Sequence, residues 1–343
     1  MVLLLGLLCP SGAQADEDSS LYVERLAGVR EYFFLNASSS GVAITAATRK
    51  SSQRRLQHHN PVSYCGRIHG DKMRYASGGG EWREAIDLYT DWASYLPPTP
   101  DGEAVATPEE NTINTAPLFS DDRIRLLLTH VDIRTKSVVE LGPLEGGHSY
   151  MLSRAGAREV TSIEGSPIAF AKCLLVGQMY DLHTVKFRFG NFIKALSVYA
   201  SQGRKFDVGL AVGVLYHLHE PLQTLYDLIS VVTDAIVIWT QVYNDAYDGL
   251  ACCGQASRAT GFTWTETQPV TVAGFTYLPH IHNYEAKSGH FLGGASDDSV
   301  WLTREQLFGA LKAWGWDVVE LVDQPTPSGD AVTFVAKKKN NLH

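Results

Sequence analysis

Val139–Glu140–Leu141–Gly142–Pro143–Leu144–Glu145–Gly146–Gly147 decides how the rest of the chain is read. The apolar run Ser137–Leu141 predicts a short buried strand. Gly142 and Gly146, with Pro143 between them, let the backbone turn tightly after it and come close to a ligand. Glu140, at the strand end, can accept a hydrogen bond from an ammonium group. A nicotinamide-binding fingerprint would want glycine at 144, where Leu144 stands, and a helix N-terminus cradling a pyrophosphate. The spacing E-x-G-x-x-x-G suits instead a ligand with a charged amino-acid end and no phosphate.

Outward from this turn, strand and helix alternate. Gly147–Ala155 predicts a helix, Glu159–Ile163 a strand, Ile168–Tyr180 a helix, Val185–Phe189 a strand, and Phe192–Ser201 a helix. Phe206–Val214 then reads as a buried strand, Pro221–Val232 as a helix and Ala235–Gln241 as a strand. These lengths fit right-handed βαβ crossovers, so the expected fold is α/β, a Rossmann-like parallel sheet with helices on both faces. Thr303 and Gln306 make a capping box for a last helix that Gly315 ends. Trp316–Val322 and Ala331–Lys337 follow as an antiparallel pair that closes the sheet.

Upstream, Asp121–Val131 fits a helix, and Glu81–Tyr95 places Trp82, Ile86, Tyr89 and Ala93 on one side at helical spacing. Residues 16–115 otherwise lack a consistent period, and Leu96–Ala116, rich in proline and then Thr and Asn, reads as a linker or wrapping arm. The expected organisation is an N-terminal arm, 1–115, and a main domain, 116–343. Within that domain, 242–300 is an insert rich in aromatic residues and histidine. Its length and place on the carboxyl side of the sheet read as a substrate lid.

Three further signals stand at successive strand ends. Glu164, followed by Gly165, can take both hydroxyls of a ribose, as the acidic residue does in dinucleotide folds. Either glutamate alone reads as a solvated loop carboxylate; both together, with the glycine turn between them, read as ligands. Gly190–Asn191–Phe192 offers an amide to an adenine amino group and a ring beside it, while Asn191 is equally suited to cap the next helix. Gly213–Val214–Leu215–Tyr216–His217 sets a tyrosine and a histidine at the sheet's carboxyl edge. An unperturbed imidazole changes charge near neutrality, so a histidine at 217 can serve as general base on a hydroxyl, or fix the loop by bonding to backbone.

Residues 119–241 and 299–337 resemble the class I methyltransferases that use S-adenosyl-L-methionine (SAM), through E-L-G-P-L-E-G-G, S-I-E-G, G-N-F and G-V-L-Y-H. The resemblance implies SAM as cofactor. It implies that Glu140, Gly142, Pro143, Gly146, Glu164, Gly165, Asn191, Phe192 and Gly213 hold it, with Tyr216 and His217 near the transferred methyl. G-V-L-Y-H…P-L is also similar to a segment of the bacterial tRNA wobble-uridine carboxymethyltransferases. In that family the tyrosine matching Tyr216 helps hold the extra carboxylate of carboxy-SAM, as does an arginine in a C-terminal P-A-P-x-R-A segment. Here the matching stretch is Pro325–Thr326–Pro327–Ser328–Gly329–Asp330–Ala331. Asp330 would repel that carboxylate, so ordinary SAM is expected.

The 343 residues carry a net charge of −8. That balance gives no support for a large nucleic-acid footprint, so a small-molecule or glycan-like acceptor is favoured over RNA. A SAM-binding module without catalysis is the reading from another class, and the intact set Glu140, Gly142, Gly146 and Glu164 speaks against it. The five cysteines form no zinc pattern and read as reduced thiols of a cytoplasmic protein. Met1–Cys9 with Ala13–Gln14–Ala15 resembles a short export signal, the alternative localisation, but lacks a positive n-region. No later stretch reaches the about 20 apolar residues of a membrane span.

Overall fold

A computed structural model describes residues 92–99, 117–244, 267–282, 298–324 and 329–339, with Trp82, Ala85, Ile86, Tyr89, Ser296 and Thr326 singly. The apolar N-terminus lies outside the described residues. The chain divides into two compact units, Met1–Thr90 and Asp91–His343. In the first, Trp82, Ala85 and Ile86 are helical, Ala85 and Ile86 are buried, and Tyr89 N–H donates to Ile86 O at 3.0 Å. The helix expected over Glu81–Tyr95 does not reach its predicted end, because 92–99 is irregular. The amides of Ala93 and Ser94 donate to the Glu145 carboxylate.

The second unit follows the alternation read from the sequence. Its elements are α1 (Asp122–His130), β1 (Ser137–Leu141), α2 (Gly147–Arg154), β2 (Glu159–Glu164), α3 (Pro167–Met179), β3 (Val185–Phe189), α4 (Phe192–Ser201), β4 (Phe206–Val212), α5 (Pro221–Val231) and β5 (Val232–Gln241). Then come the short strands β6 (Val270–Val272), β7 (Phe275–Tyr277), β8 (His280–His282) and β9 (Ser299–Trp301), and finally α6 (Arg304–Ala313), β10 (Trp316–Asp323) and β11 (Ala331–Lys338). The capping box at Thr303 and Gln306 forms as predicted, and Gly315 follows the helix at φ +79°.

Seven strands make one sheet in the order β3-β2-β1-β4-β5-β11-β10. β1 to β5 run parallel, and β11 alone runs against its neighbours β5 and β10. This is the Rossmann-like sheet expected from the sequence, parallel but for the C-terminal strand β11. Alternation along the strands assigns the faces. Val138, Val160, Val208 and Val335 pack with Ile124 and Leu127 of α1 and Leu152 of α2. The residue before Val335 in β11, Phe334, meets Phe308 of α6 edge-on, so α6 covers the other face. A Cβ at Gly209 would come within 3.1 Å of Leu228 of α5, which places α5 on that face too.

The chain runs outward from β1 to β3 and returns to β4 on β1's other side. The carboxyl ends of β1 and β4 are thus a topological switch point, where ligands of open α/β sheets bind. The described parts of the 242–300 insert form two ribbons, β6–β7 and β8–β9. Periodicity could not announce strands of three residues.

Candidate active site

The turn after β1 is built around positive-φ positions: Gly142 (+64°), Leu144 (+55°) and Gly146 (+79°). Glycine adopts this region freely, whereas a leucine there costs about 1–2 kcal/mol. Glu164 restrains the strained residue. Its Oε2 accepts from Leu144 N at 3.0 Å and its Oε1 from Ser166 N at 2.7 Å. Burial pushes the Glu164 carboxyl pKa up, and the backbone N–H groups of Ser166, Leu144 and Gly165 pull against it. Pro143 is buried, and its carbonyl accepts from Gly146 N at 2.9 Å. A Cβ at Gly147 would stand 2.6 Å from the Leu118 backbone, so α2 starts in close contact with the 118–120 turn.

Glu140 points to the face covered by α2. Its Oε2 accepts from the hydroxyls of Ser149 and Ser162, the latter at 2.8 Å. Its Oε1 is buried and has no hydrogen-bond partner among the described residues. Glu145, inside the same motif, was not foreseen as special. It is 1% exposed, and its carboxylate accepts from Ala93 N (2.7 Å), Ser94 N (3.1 Å) and Lys172 Nζ (3.0 Å). Lys172 also lies 5.0 Å from the centroid of the Trp92 ring. Leu118 N donates to Ser94 Oγ, and Tyr180 Oη donates to Pro97 O. Residues 92–99 are therefore strapped to the glycine turn.

The remaining predicted residues stand at the neighbouring strand ends. Asn191 is exposed and caps α4, its Oδ1 accepting from Ile193 N at 2.9 Å, while Phe192 is buried. Gly190 N donates to Glu164 O and ties the β3 end to the β2 end. Gly213 (φ +80°) donates to Trp239 O at 2.9 Å, and a Cβ at Gly142 would meet Val214 at 3.3 Å, so the post-β1 and post-β4 turns touch. Tyr216 and His217 lie in a 3-10 turn, Leu215–His217, both half-buried, with ring centroids 4.1 Å apart. Tyr216 also packs edge-on against Trp239 and Trp301. Val300 N donates to Leu218 O at 2.8 Å, which sets β9 beside this turn.

A surface cavity of about 480 Å³ lies instead at the C-terminal end of α1, lined by Leu128, His130, Asp132 and Arg134 among others. None of the predicted residues borders it, and it has no part in the site. Among the described residues, no group of three His, Cys, Asp or Glu is placed to hold a metal ion. No helix among them is long and apolar enough to cross a membrane.

No protein-family model and no curated protein matches the chain. Solved structures do. The N-terminal domain of EvdMO1, crystallised in the presence of SAH and D-fucose, is 19% identical, with 88% of this chain and 100% of that chain covered and a TM-score of 0.50. Against whole EvdMO1 the match spans 67% of this chain and 43% of that one, at 21% identity and a TM-score of 0.41. Magnesium protoporphyrin IX methyltransferase from Synechocystis PCC 6803 with bound SAH is 15% identical, over 64% and 81% of the two chains, with a TM-score of 0.42. At these identities the likeness is one of fold.

Proposed function

We propose that this protein transfers a methyl group from SAM to a hydroxyl of a small, sugar-like acceptor. The observation that carries the reading is the pair of buried carboxylates, Glu140 and Glu164, at the ends of adjacent strands beside a positive-φ turn at the switch point. The residues suit the cofactor. Glu140 Oε1 is a buried acceptor with no hydrogen bond among the described residues, and an ammonium group would supply one. Glu164 offers a carboxylate to the ribose hydroxyls. Gly142, Pro143, Gly146, Gly165 and Gly213 border the cofactor with backbone and little side chain, and Asn191 and Phe192 flank the adenine. When bound, SAM supplies an electrophilic methyl group on its sulfonium.

The chain's own part is alignment of the acceptor oxygen and exclusion of water. His217 takes the hydroxyl proton. Tyr216 and Trp239 present rings on the acceptor side, a surface suited to the C–H faces of a sugar; most of the 242–300 insert expected as a lid lies outside the described residues. The D-fucose in the EvdMO1 crystals supports an acceptor of this class. An RNA acceptor, the alternative, has the net charge of −8 against it.

Incubation with labelled SAM and neutral monosaccharides, D-fucose first, should give a methylated sugar. His217→Asn should lower turnover about 10²–10⁴-fold and leave SAM affinity nearly intact. Undiminished turnover would remove His217 as the base. Transfer to tRNA and to no sugar would overturn the acceptor class.

A further inference from the structure

Beside the glycine turn four charged side chains run in alternating sign, and three of them have no part in the reading above. Asp121 is the N-cap of α1, yet its carboxylate does more than cap. Oδ1 accepts from Arg123 N (2.8 Å) and Nε (2.9 Å), and Oδ2 accepts from Arg123 Nη2 (2.5 Å) and lies 2.8 Å from His148 Nε2. The other imidazole nitrogen, Nδ1, is 3.6 Å from Glu140 Oε1, an ion-pair distance too long for a hydrogen bond. Asp121, His148 and Glu140 are 3%, 5% and 1% exposed. The Arg123 side chain is 16% exposed and lies 5.1 Å from the centroid of the Trp239 ring, and its Nη1 makes none of these bonds.

In the low dielectric of an interior, a buried polar group left without a partner is costly, so an open member of such a network calls for one. This network is open at both ends, and the ends differ in sign: a buried acceptor at Glu140 Oε1 and a spare guanidinium donor at Arg123. A free α-amino-acid group has the complementary pair, an ammonium and a carboxylate. We infer that Arg123–Asp121–His148–Glu140 is the receptor for the amino-acid end of the cofactor, with His148 as the positioning residue that holds the two carboxylates in place. The inference rests on the SAM reading and adds to it the groups that recognise the methionine end.

Two buried carboxylates flank the His148 ring, Asp121 Oδ2 at 2.8 Å from Nε2 and Glu140 Oε1 at 3.6 Å from Nδ1, and both favour its charged form. Burial works against that form, but Asp121 and Glu140 outweigh burial and hold the imidazole pKa above its ordinary value. Those carboxylates, from the cap of α1 and from β1, are the charged groups facing the ring, with Arg123 beyond Asp121.

The test compares two ligands, S-adenosylhomocysteine and methylthioadenosine, which keeps the nucleoside and lacks the amino-acid end. Calorimetry on His148→Gln and Arg123→Gln should show at least about a tenfold loss of S-adenosylhomocysteine affinity, the scale of one charge-assisted hydrogen bond. Methylthioadenosine should stay within about twofold of wild type. Arg123→Lys keeps the charge without the fork and should lose less than Arg123→Gln. Equal losses for both ligands would mean that the network merely supports the turn, and unchanged affinity for both would remove it from the site; either result overturns the inference. If His148→Gln does not fold, the two Arg123 variants decide. A wild-type protein that binds neither ligand would sink the SAM reading itself, a separate outcome.

Discussion

Glu145 and Glu164 stand on the two flanks of one turn and are used differently. Both are almost fully buried, both accept from backbone N–H groups, and burial pushes both carboxyl pKa values up. On the inner flank Glu145 faces a cation, Lys172, and gathers the 92–99 strap and α3 around itself. On the outer flank Glu164 is held by backbone amides, and no cation pairs with it among the described residues. A buried carboxylate neutralised from within holds chain to chain. One balanced by amide dipoles alone keeps capacity to accept, and hydroxyl donors from a ligand can meet it. Two glutamates of the same region thus divide into a fastener and, on the proposed function, a receptor.

The severest way to break this contrast is to remove the cation. Lys172→Ala leaves the Glu145 carboxylate buried without its partner, a change that typically costs about 3–5 kcal/mol. Urea denaturation should show a loss of that size, together with protease sensitivity appearing in the strap. A change below about 1 kcal/mol, the range of exposed pairs, would show that Glu145 is not the fastener.

A gentler probe acts through pH at the Asp121–His148 pair. Burial works to raise the Asp121 pKa, but hydrogen bonds from His148 and Arg123 outweigh it and hold the carboxyl well below the usual carboxylate range. Its stabilisation is present above an unfolded value of about 3.9 and is lost as pH falls through the lower folded value. His148 runs the other way: its raised pKa stabilises below an unfolded value of about 6.5, and that contribution is lost as pH rises through the folded value. Melting temperature should therefore decline on the alkaline side of neutrality, and His148→Gln should flatten that limb. An equally steep alkaline limb in the variant would assign the decline to other groups.

Much of the sheet was legible in the sequence because helices and strands of ordinary length leave periods behind. Predicted and observed boundaries differ by a few residues at most, and the box at Thr303 and Gln306 announced the last helix outright. The three-residue strands β6 to β9 left no period to read. At the candidate site, the glycine turn was legible because backbone constraint forces residue type at fixed spacing, and Glu164 does meet that turn. Arg123, Asp121 and His148 were not legible. An aspartate before a helix is accounted for by capping alone, and the contact from Asp121 to His148 exists only after α1 and α2 have packed on the same face. Glu145 hid for a similar reason, since its partners come from the 92–99 segment and from α3. The end of the Glu81–Tyr95 helix was misjudged on the same account, because those amides are taken by a distant side chain.

The central claim is that the outer flank of the turn receives the ribose of SAM, and calorimetric titration with S-adenosylhomocysteine tests it most directly. The wild-type protein should bind S-adenosylhomocysteine in the micromolar range and should not bind NADH. Glu164→Ala should weaken that binding by about 1.5–3 kcal/mol, the range for hydrogen bonds to a charged group, in a domain that still unfolds cooperatively. An unchanged dissociation constant in the variant, or binding of NADH without binding of S-adenosylhomocysteine, would contradict it.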